Sequence, residues 1–333
     1  MPSTPPGSRS TAASSRTPGC DRSDAVTSAF GPLTVIVNPH AGRGHVGEEI
    51  PELERTLQAR RLPYALHRTE GPGDATRIAR EALDAGGRYV VAVGGDGTIH
   101  EVVNGMLEDD KPVVPDAVLG VVAAGSGSDL VRTFGLPGDA SRACTHLVGE
   151  NLYPLDIGKA TYTSADGSSV SRYFPNIAEV GLGGGVVRRA DRLPRTFGRS
   201  KYFFGFWLTL PRFKIARVAV RADNKTYEGP AFNVIVANCQ YYGGGMKISP
   251  RSFPGDGVLD VLVLQGPKSD AFTMLPQVYR GEHLPHPHVV ELRARREIRV
   301  EADRPLPIEA DGEQLGTSPV TFEVLPQAIQ LKV

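Results

Sequence analysis

The sequence predicts an α/β fold, with a doubly wound N-terminal domain followed by a β-rich, sandwich-like C-terminal domain. Short apolar strands alternate with helical segments from Leu33 to Phe134, which is the pattern of a parallel sheet with helices on both faces. After Asp156 the chain changes to strand-like pieces separated by Gly, Pro, Asn and Asp, which is typical of an antiparallel sandwich. The length of 333 residues is enough for two domains of ordinary size.

The first domain is predicted to span residues 32–155. Continuously apolar strands such as Val90 to Val93 are what a sheet covered by helices on both faces requires, because both side-chain directions are then buried. We predict the strands "LTVIV", "YALHRT", "YVVAV" and "AVLGVVA", and the helices Gly47 to Arg61, Asp74 to Ala85, Thr98 to Glu108 and Asp129 to Phe134.

The second domain is predicted to cover residues 156–319. Its strand-like pieces include "VAVRAD" and "GVLDVLVLQ", and two helices are expected, at Arg195 to Leu210 and at Ser269 to Tyr279. Residues 320–333 are predicted to form a last strand that returns to the first domain. Residues 1–31 are rich in Ser, Thr and Pro and have no apolar stripe, which predicts a disordered tail.

The composition excludes several classes of protein. Lys plus Arg equals Asp plus Glu at 37 each, so bulk charge gives no reason to expect nucleic-acid binding. The cysteines Cys20, Cys144 and Cys239 have neither the spacing of a disulfide framework nor that of a zinc site. No apolar run reaches the roughly 18 residues that span a bilayer. We therefore expect a cytoplasmic protein.

Three of the predicted strands end in glycine-rich turns. These are "NPHAGRG" with Asn38, Gly42, Arg43 and Gly44, "GGDGT" with Gly94, Gly95, Asp96, Gly97 and Thr98, and "GSGSD" with Gly125, Ser126, Gly127, Ser128 and Asp129. One such turn alone is more simply explained as a tight connection between strand and helix. Because the carboxyl ends of parallel strands meet at one edge of a sheet, the three together favour a site where backbone N–H groups hold a polyphosphate.

The segment after Gly97 has the spacing of an amphipathic helix. Its apolar stripe consists of Ile99, Val102, Val103, Met106 and Leu107. Thr98 and Glu101 have capping-box spacing, so Glu101 is either a cap of this helix, which we favour, or a polar ligand to a nucleotide. Asp96 precedes them, where the helix dipole would stabilise a carboxylate or a bound anion.

These motifs resemble those of a known family. The stretch "NPHAGRG" is similar to NPxxG, "GGDGTIHEVVNG" to GGDGT with its following helix, and "GSGSDLVRTFGLP" to GTGNDFARxLGIP. With "FPGDGVLDVLVL" and "IEADGEQLGTSPVTFEVLP", they make the chain resemble the diacylglycerol kinase catalytic superfamily, which includes soluble bacterial lipid kinases and sphingosine kinases. The resemblance covers residues 32–333.

The resemblance implies a kinase that uses ATP and magnesium to phosphorylate the hydroxyl of a lipid substrate such as diacylglycerol. It assigns the three glycine-rich turns to the nucleotide, Asp96 to the magnesium of ATP, and Asp129 to the acidic position of the third motif. The DGE motif of the family matches "ADGEQ", so Glu313 is the expected general base. Asp256 matches the ligand of a second, structural magnesium in some bacterial members.

The sequence departs from the family at one position, where Ser128 replaces the usual Asn of GTGND. Serine keeps a hydrogen-bonding group but has less reach, which bears on nucleotide affinity or phosphate geometry. Two other functions stay open. An NAD kinase shares a GGDG turn, and a lipid-binding regulator would keep the nucleotide site without turnover.

The segment 188–217 interleaves aromatic residues, among them Trp207, with many arginines and lysines. This composition is typical of peripheral contact with an anionic membrane surface. For Phe203 to Leu210 we favour burial against the second domain, and for the basic flank both membrane contact and simple solvation stay open. An exposed sheet edge in the second domain would allow a homodimer.

The stretch "GEHLPHPHVV" places His283, His286 and His288 close enough in sequence to suggest a metal site. Pro285 and Pro287 make a loop or an extended strand entry the simpler interpretation.

Overall fold

The computed structural model describes residues 28–123, 129–137, 144–190 and 200–333, together with Arg142 and Arg192. Within these residues the chain forms seven α-helices. They are α1 (His45–Ala59), α2 (Asp74–Asp84), α3 (Asp96–Met106), α4 (Asp129–Phe134), α5 (Leu182–Ala190), α6 (Ser200–Thr209) and α7 (Asp270–Arg280). A short 3-10 helix, Ala41–Gly44, precedes α1.

The strands of the described residues form two large sheets and one small hairpin. They are β1 (Leu33–Val37), β2 (Tyr64–Arg68), β3 (Tyr89–Gly94), β4 (Leu107–Glu108), β5 (Lys111–Pro112), β6 (Val118–Ala123), β7 (Leu152–Thr163), β8 (Ser169–Phe174), β9 (Ile177–Gly181), β10 (Ala216–Ala222), β11 (Lys225–Ala231), β12 (Asn233–Ala237), β13 (Leu259–Leu264), β14 (Val289–Ala294), β15 (Glu297–Ala302), β16 (Pro307–Ala310), β17 (Glu313–Thr317) and β18 (Val320–Lys332). The small hairpin is β4-β5.

The first sheet contains a parallel part with the strand order β2-β1-β3-β6. Helix α1 covers one face and helices α2 and α3 cover the other, so β3 and β6 are buried along their whole length. The prediction of a doubly wound α/β domain is confirmed. Strands β2 and β3 pair with opposite edges of β1. The crevice beyond the carboxyl ends of β1 and β3 is therefore a topological switch point.

The same sheet continues into the second half of the chain. Strand β18 pairs in parallel with β6 through Gln330 and Leu331, and it runs antiparallel to β7 and β15. Strands β10 and β11 extend the sheet beyond β15, and β8 extends it beyond β7. The last strand thus joins the two halves of the molecule through backbone hydrogen bonds.

The second sheet has the order β14-β13-β12-β9-β16-β17, and all its pairs are antiparallel. It packs on the antiparallel part of the first sheet, and the core between them contains residues from both. Members of this core include Val218, Ile298 and Phe322 from the first sheet, and Val180, Val234 and Val261 from the second. The predicted β-rich, sandwich-like domain is therefore confirmed.

One helix was missed in the sequence analysis, and two predicted segments lie partly outside the described residues. Phe30, which lies in the predicted tail, makes an edge-to-face contact with Tyr89 with ring centroids 5.8 Å apart; residues 1–27 of that tail lie outside the described residues. Helix α5 was not predicted at all. Helix α6 spans Ser200–Thr209, and residues 195–199 of the longer predicted helix, Arg195 to Leu210, lie outside the described residues. Within the described part of the chain, every helix is too short or too polar to cross a membrane.

Candidate active site

The first glycine-rich turn follows β1. Asn38 donates its N–H to the carbonyl of Val93 at 3.0 Å, which ties the turn to strand β3. Gly42 and Gly44 have φ angles of 60° and 92°, in the left-handed region that favours glycine. A Cβ on Gly44 would meet nothing within 4 Å, so there is open space at the start of α1. The side chain of Arg43 lies outside the described residues.

The second turn joins β3 to α3. Helix α3 begins at Asp96 with Gly95 as its N-cap, and no side chain caps it. Close packing requires Gly94, because a Cβ there would lie 2.5 Å from Thr98 Oγ1. A Cβ on Gly95 would instead meet nothing within 4 Å. The uncapped N-terminus of α3 therefore adjoins open space at the switch point, which is the environment that an anionic ligand requires.

Of the third turn, only Asp129 is described, because Gly125, Ser126, Gly127 and Ser128 lie outside the described residues. Asp129 is buried at the start of α4. Its N–H donates to Asp96 Oδ1 at 2.9 Å, so the second and third turns are in direct contact. Two carboxylates, those of Asp96 and Asp129, thus lie beside the N-terminus of α3.

The second domain contributes the hairpin between β16 and β17. Its two-residue turn is Asp311-Gly312, with φ angles of 51° and 89°, as a type I′ turn requires at both positions. Asp311 Oδ1 accepts the N–H groups of Asn176 at 3.2 Å and of Ile177 at 3.0 Å. These bonds hold the turn against the start of β9, and Glu313 follows it as the first residue of β17.

Glu313 reaches across to the second glycine-rich turn. A Cβ on Gly97 would lie 3.4 Å from Glu313 Oε1, so the carboxylate stands against the first turn of α3. Glu313 is exposed, and a substrate can therefore approach it. The fold brings Asp96, Gly97 and Glu313 to one cleft, although they come from opposite ends of the chain.

A buried hydrogen bond holds the hairpin on the first domain. Nδ1 of His100, on α3, lies 3.0 Å from Asp311 Oδ2, and the two side chains are only 7% and 1% exposed. Because an ionised carboxylate can only accept, Nδ1 is the donor. No role for His100 follows from the sequence, and the available signal was its position off the apolar stripe of α3.

A loop of the second domain that sequence reasoning missed also borders the cleft. Gly243, Gly244 and Gly245 all have positive φ angles, of 60°, 86° and 113°. The N–H of Gly244 donates to Asp129 Oδ2 at 2.8 Å, and a Cβ on Gly245 would lie 3.5 Å from the guanidinium of Arg132. The run "GGG" in "YYGGGM" was the signal, since three left-handed residues in succession allow a close backbone approach.

Two buried carboxyl groups lie close to this hairpin. Glu179 on β9 and Glu309 on β16 are paired in register. Glu179 Oε1 accepts from Asn233 Nδ2 at 2.9 Å, and Glu309 Oε2 accepts the N–H of Gly312 at 2.9 Å. Burial raises the pKa of Glu179 to about 7, and burial beside the Glu179 charge raises the pKa of Glu309 well above its usual range. The pair therefore retains a proton at neutral pH.

Glu101 caps a different helix from the one expected from the sequence. Its Oε1 and Oε2 accept the N–H groups of Gly73 and Ala75, each at 3.0 Å. Glu101 therefore caps the neighbouring helix α2. Since α3 has no side-chain cap, the capping-box interpretation of Thr98 and Glu101 is wrong.

The Asp256 carboxylate contacts another part of the second domain. Its Oδ1 accepts the N–H of Val258 at 3.1 Å, and its Oδ2 lies 3.4 Å from Arg293 Nη2. Among the described residues, no group of three metal-ligating side chains includes Asp256. A structural magnesium at Asp256 stays a prediction, and such an ion would compete with Arg293.

The three histidines of "GEHLPHPHVV" do not form one site. His283 is buried, and its Nε2 lies 2.9 Å from the carbonyl oxygen of Ile248. His286 and His288 instead meet Asp270, at the start of α7, with one potential ligand atom from each residue within 4.8 Å of the others. The carboxylate of Asp270 is hydrogen-bonded to His288 Nδ1.

Both halves of the chain match known families. Residues 32–160 match the diacylglycerol kinase catalytic domain, and residues 176–333 match the YegS C-terminal NAD kinase beta sandwich-like domain. The chain belongs to the YegS-like lipid kinase family. The resemblance inferred from the motifs is therefore confirmed, and this lipid kinase is a phosphotransferase.

Individual relatives agree with this assignment. The lipid kinase is similar to the diacylglycerol kinase of Bacillus subtilis (strain 168), at 28% identity over 86% of this chain and 91% of that protein. It is 27% identical to the diacylglycerol kinase of Staphylococcus haemolyticus (strain JCSC1435), over 89% of this chain and 86% of that one. A crystal structure of a diacylglycerol kinase from Bacillus anthracis str. Sterne superposes with a TM-score of 0.69 at 25% identity, covering 92% of this chain and 97% of that one.

Proposed function

We propose that this lipid kinase transfers the γ-phosphoryl group of ATP to the hydroxyl of diacylglycerol or a related lipid alcohol. The observation that carries the proposal is the contact of Glu313 with the second glycine-rich turn, where Oε1 lies 3.4 Å from the Cβ position of Gly97. A carboxylate of one domain thus stands at the anion-binding turn of the other. The relatives named diacylglycerol kinase support a lipid alcohol as the acceptor.

The glycine-rich turns fit the phosphates of ATP. Open space at the Cβ positions of Gly44 and Gly95 lets a ligand approach the backbone directly. The uncapped N-terminus of α3 then supplies N–H donors, and α1 and α3 add the positive ends of their helix dipoles. Nucleotide binding therefore relies on backbone groups, which suits phosphoryl transfer because that reaction depends on positioning and on neutralising charge.

The donor set at the start of α3 also fits magnesium. Carboxylate oxygens are the ligands that magnesium prefers, and Asp96 and Asp129 supply them beside the phosphate-binding turns. We assign Asp96 as a ligand of the magnesium of ATP and Asp129 as its neighbour in the same acidic site. When bound, the ion would neutralise the part of the phosphate charge that the backbone N–H groups do not neutralise.

Glu313 is assigned as the general base. A lipid hydroxyl is a weak nucleophile until it loses its proton, and the exposed Glu313 carboxylate is in a position to accept that proton. The hydroxyl oxygen forms a bond to the γ-phosphorus, the bond from that phosphorus to the β-phosphate oxygen breaks, and ADP leaves. The His100 bond to Asp311 keeps the base at the glycine-rich turn during this exchange.

The exposed apolar side chains of α6 and α7 support an approach from a membrane surface. Phe204 and Leu208 lie one turn apart on α6, and 42% and 40% of their respective surfaces are exposed. Phe272 on α7 is 63% exposed and packs against Trp207 with ring centroids 4.6 Å apart. We propose that this apolar face, formed by Phe204, Leu208 and Phe272, enters the headgroup layer when the enzyme collects its lipid.

Transfer of label from γ-labelled ATP to a panel of extracted lipids tests the proposed function. We expect label in the organic phase when the panel contains diacylglycerol or a related lipid alcohol. Label on NAD would instead support an NAD kinase. Measurable ATP binding without any transfer would contradict the kinase assignment and support a regulatory protein.

A further inference from the structure

A basic cavity is lined by residues that belong to none of the three glycine-rich turns. It has a volume of about 280 Å³ and is lined by residues of α5, α6 and β16, by Arg192 after α5, and by Arg212 and Phe213 after α6. Its lining includes the four arginines Arg188, Arg189, Arg192 and Arg212. None of them forms an ion pair with an acidic residue of the described part of the chain. Since acidic and basic residues are equal in number overall, at 37 each, this concentration of charge is local.

Close packing builds the walls of the cavity. A Cβ on Gly184 would lie 2.9 Å from Pro307 Cβ, and a Cβ on Gly185 would lie 3.1 Å from Thr209 Cγ2. Helix α5 therefore lies directly against both β16 and α6. The basic C-terminal end of α5 is held in place by this contact, although four like charges in one cavity repel each other.

One wall of the cavity adjoins the proposed general base. With its side-chain amide in the orientation that satisfies hydrogen bonding, Gln314 Oε1 accepts from Arg188 Nη2 at 2.8 Å and from Arg188 Nε at 3.0 Å. Gln314 directly follows Glu313 on β17. The basic cavity and the candidate active site are thus neighbours that share this strand.

Another wall adjoins the exposed apolar face. Arg212 Nη1 donates to the carbonyl of Leu208 at 3.3 Å, so the guanidinium lies at the end of α6. Leu208 and Phe204 project from the same side of that helix, one turn apart. A ligand in the cavity can therefore have its charged part among the arginines while apolar chains follow α6.

We propose that the basic cavity binds the phosphate of an anionic phospholipid headgroup and thereby docks the kinase on anionic bilayers. Guanidinium groups present planar pairs of donors that match phosphate oxygens. The volume equals that of about nine water molecules at ~30 Å³ each, which accommodates a phosphate and several neighbouring headgroup atoms. The proposal rests on the membrane approach proposed above but is independent of catalysis.

Sedimentation with vesicles in the absence of ATP tests the proposal. Vesicles of phosphatidylcholine alone are compared with vesicles in which a minority of the lipid is phosphatidylglycerol. The variant Arg189→Gln/Arg192→Gln removes two charges from the cavity, and Arg172→Gln/Arg221→Gln removes two exposed charges on β8 and β10. We expect the cavity variant to lose about tenfold or more in affinity for anionic vesicles, because each basic residue near the surface adds to the attraction by anionic lipids. The control variant should lose far less.

Equal losses in the two variants would overturn the proposal, because bulk charge would then explain the binding. So would wild-type binding that is the same for neutral and anionic vesicles. Thermal unfolding with inorganic phosphate as the probe distinguishes the lipid from a free anion. Stabilisation by phosphate that depends on Arg189 and Arg192, without any effect of these residues on vesicle binding, would assign the cavity to a soluble phosphate ligand and contradict the lipid proposal. Wild-type unfolding curves for both variants exclude misfolding.

Discussion

His100 and Asp311 join the two domains through a hydrogen bond that is almost completely buried. The bond links α3, whose first turn carries Asp96, to the hairpin turn that precedes Glu313. Because the same Asp311 carboxylate also holds the N–H groups of Asn176 and Ile177, the hairpin is fixed from both sides. The metal ligand and the general base that we propose are therefore positioned by one interaction.

Replacing His100 by leucine should lower kcat more strongly than it changes KM for ATP. The buried carboxylate loses its donor, which costs about 1–3 kcal/mol of unfolding free energy, and a shift of about 1 Å in the hairpin costs roughly 100-fold in rate. Asp311→Asn is the matched control. Its amide oxygen can still accept the N–H groups of Asn176 and Ile177, and its amide N–H can donate to a neutral His100 ring. Steady-state kinetics and thermal unfolding measure both effects. A wild-type kcat for His100→Leu would mean that the hairpin needs no such support.

Replacing Gly97 by alanine should separate activity from stability. The added Cβ would stand 3.4 Å from Glu313 Oε1, an ordinary contact distance that the fold tolerates. Alanine also favours a helix by up to about 1 kcal/mol relative to glycine. We therefore expect an unchanged or higher melting temperature together with a kcat lowered roughly 10- to 100-fold, because the new methyl group occupies space between the base and the turn.

The matched control for Gly97→Ala is Gly71→Ala, at an exposed position outside the site where a Cβ would meet nothing within 4 Å. Wild-type turnover in Gly97→Ala would show that the substrates do not use the space between Gly97 and Glu313.

The buried pair of Glu179 and Glu309 should make stability depend on pH. Burial raises the folded-state pKa of Glu179 from 4.5 to about 7, so its contribution to stability is complete below the unfolded pKa and is lost as the pH rises through about 7. Glu179→Gln keeps an acceptor for Asn233 and removes this loss. The stability of the variant relative to the wild type should therefore rise by on the order of 1 kcal/mol between about pH 5 and about pH 8. If the difference in unfolding free energy between Glu179→Gln and the wild type did not change with pH, the pair would not retain a proton as proposed.

Replacing Glu101 by alanine should affect stability but not nucleotide affinity. The side chain caps α2, and the loss of such a cap costs about 0.5–2 kcal/mol. Denaturant unfolding and the KM for ATP are the two measurements. A raised KM with unchanged stability would restore the alternative that Glu101 is a ligand of the nucleotide.

Local patterns were sufficient to predict the first domain. The strands and helices up to Phe134 follow from apolar periodicity, apart from the small hairpin β4-β5, and the first two glycine-rich turns lie at the ends of β1 and β3. Helix α5 was missed because "LGGGVVRRA" has poor helix propensity. Its glycines are explained only by tertiary contacts, since a Cβ on Gly183 would lie 1.5 Å from Glu179 Oε2 and one on Gly184 would lie 2.9 Å from Pro307.

The site could be predicted only in part, because its two halves are distant in the chain. The motif resemblance singled out Asp96 and Glu313, but no periodicity connects them. The partners of His100 and Glu101 lie on other elements of the fold. Capping-box spacing therefore predicted that Glu101 caps α3, whereas it caps α2. The loop with Gly244 was missed because its contact with Asp129 is made across the cleft.

Single-turnover phosphorylation of a lipid alcohol by Glu313→Gln tests the central claim most directly. Glutamine keeps the shape of the side chain but cannot accept the proton of the hydroxyl. The account predicts that ATP binding is retained and that the rate of transfer falls by about 10²- to 10⁴-fold. Transfer at the wild-type rate would contradict the role of Glu313 as the general base.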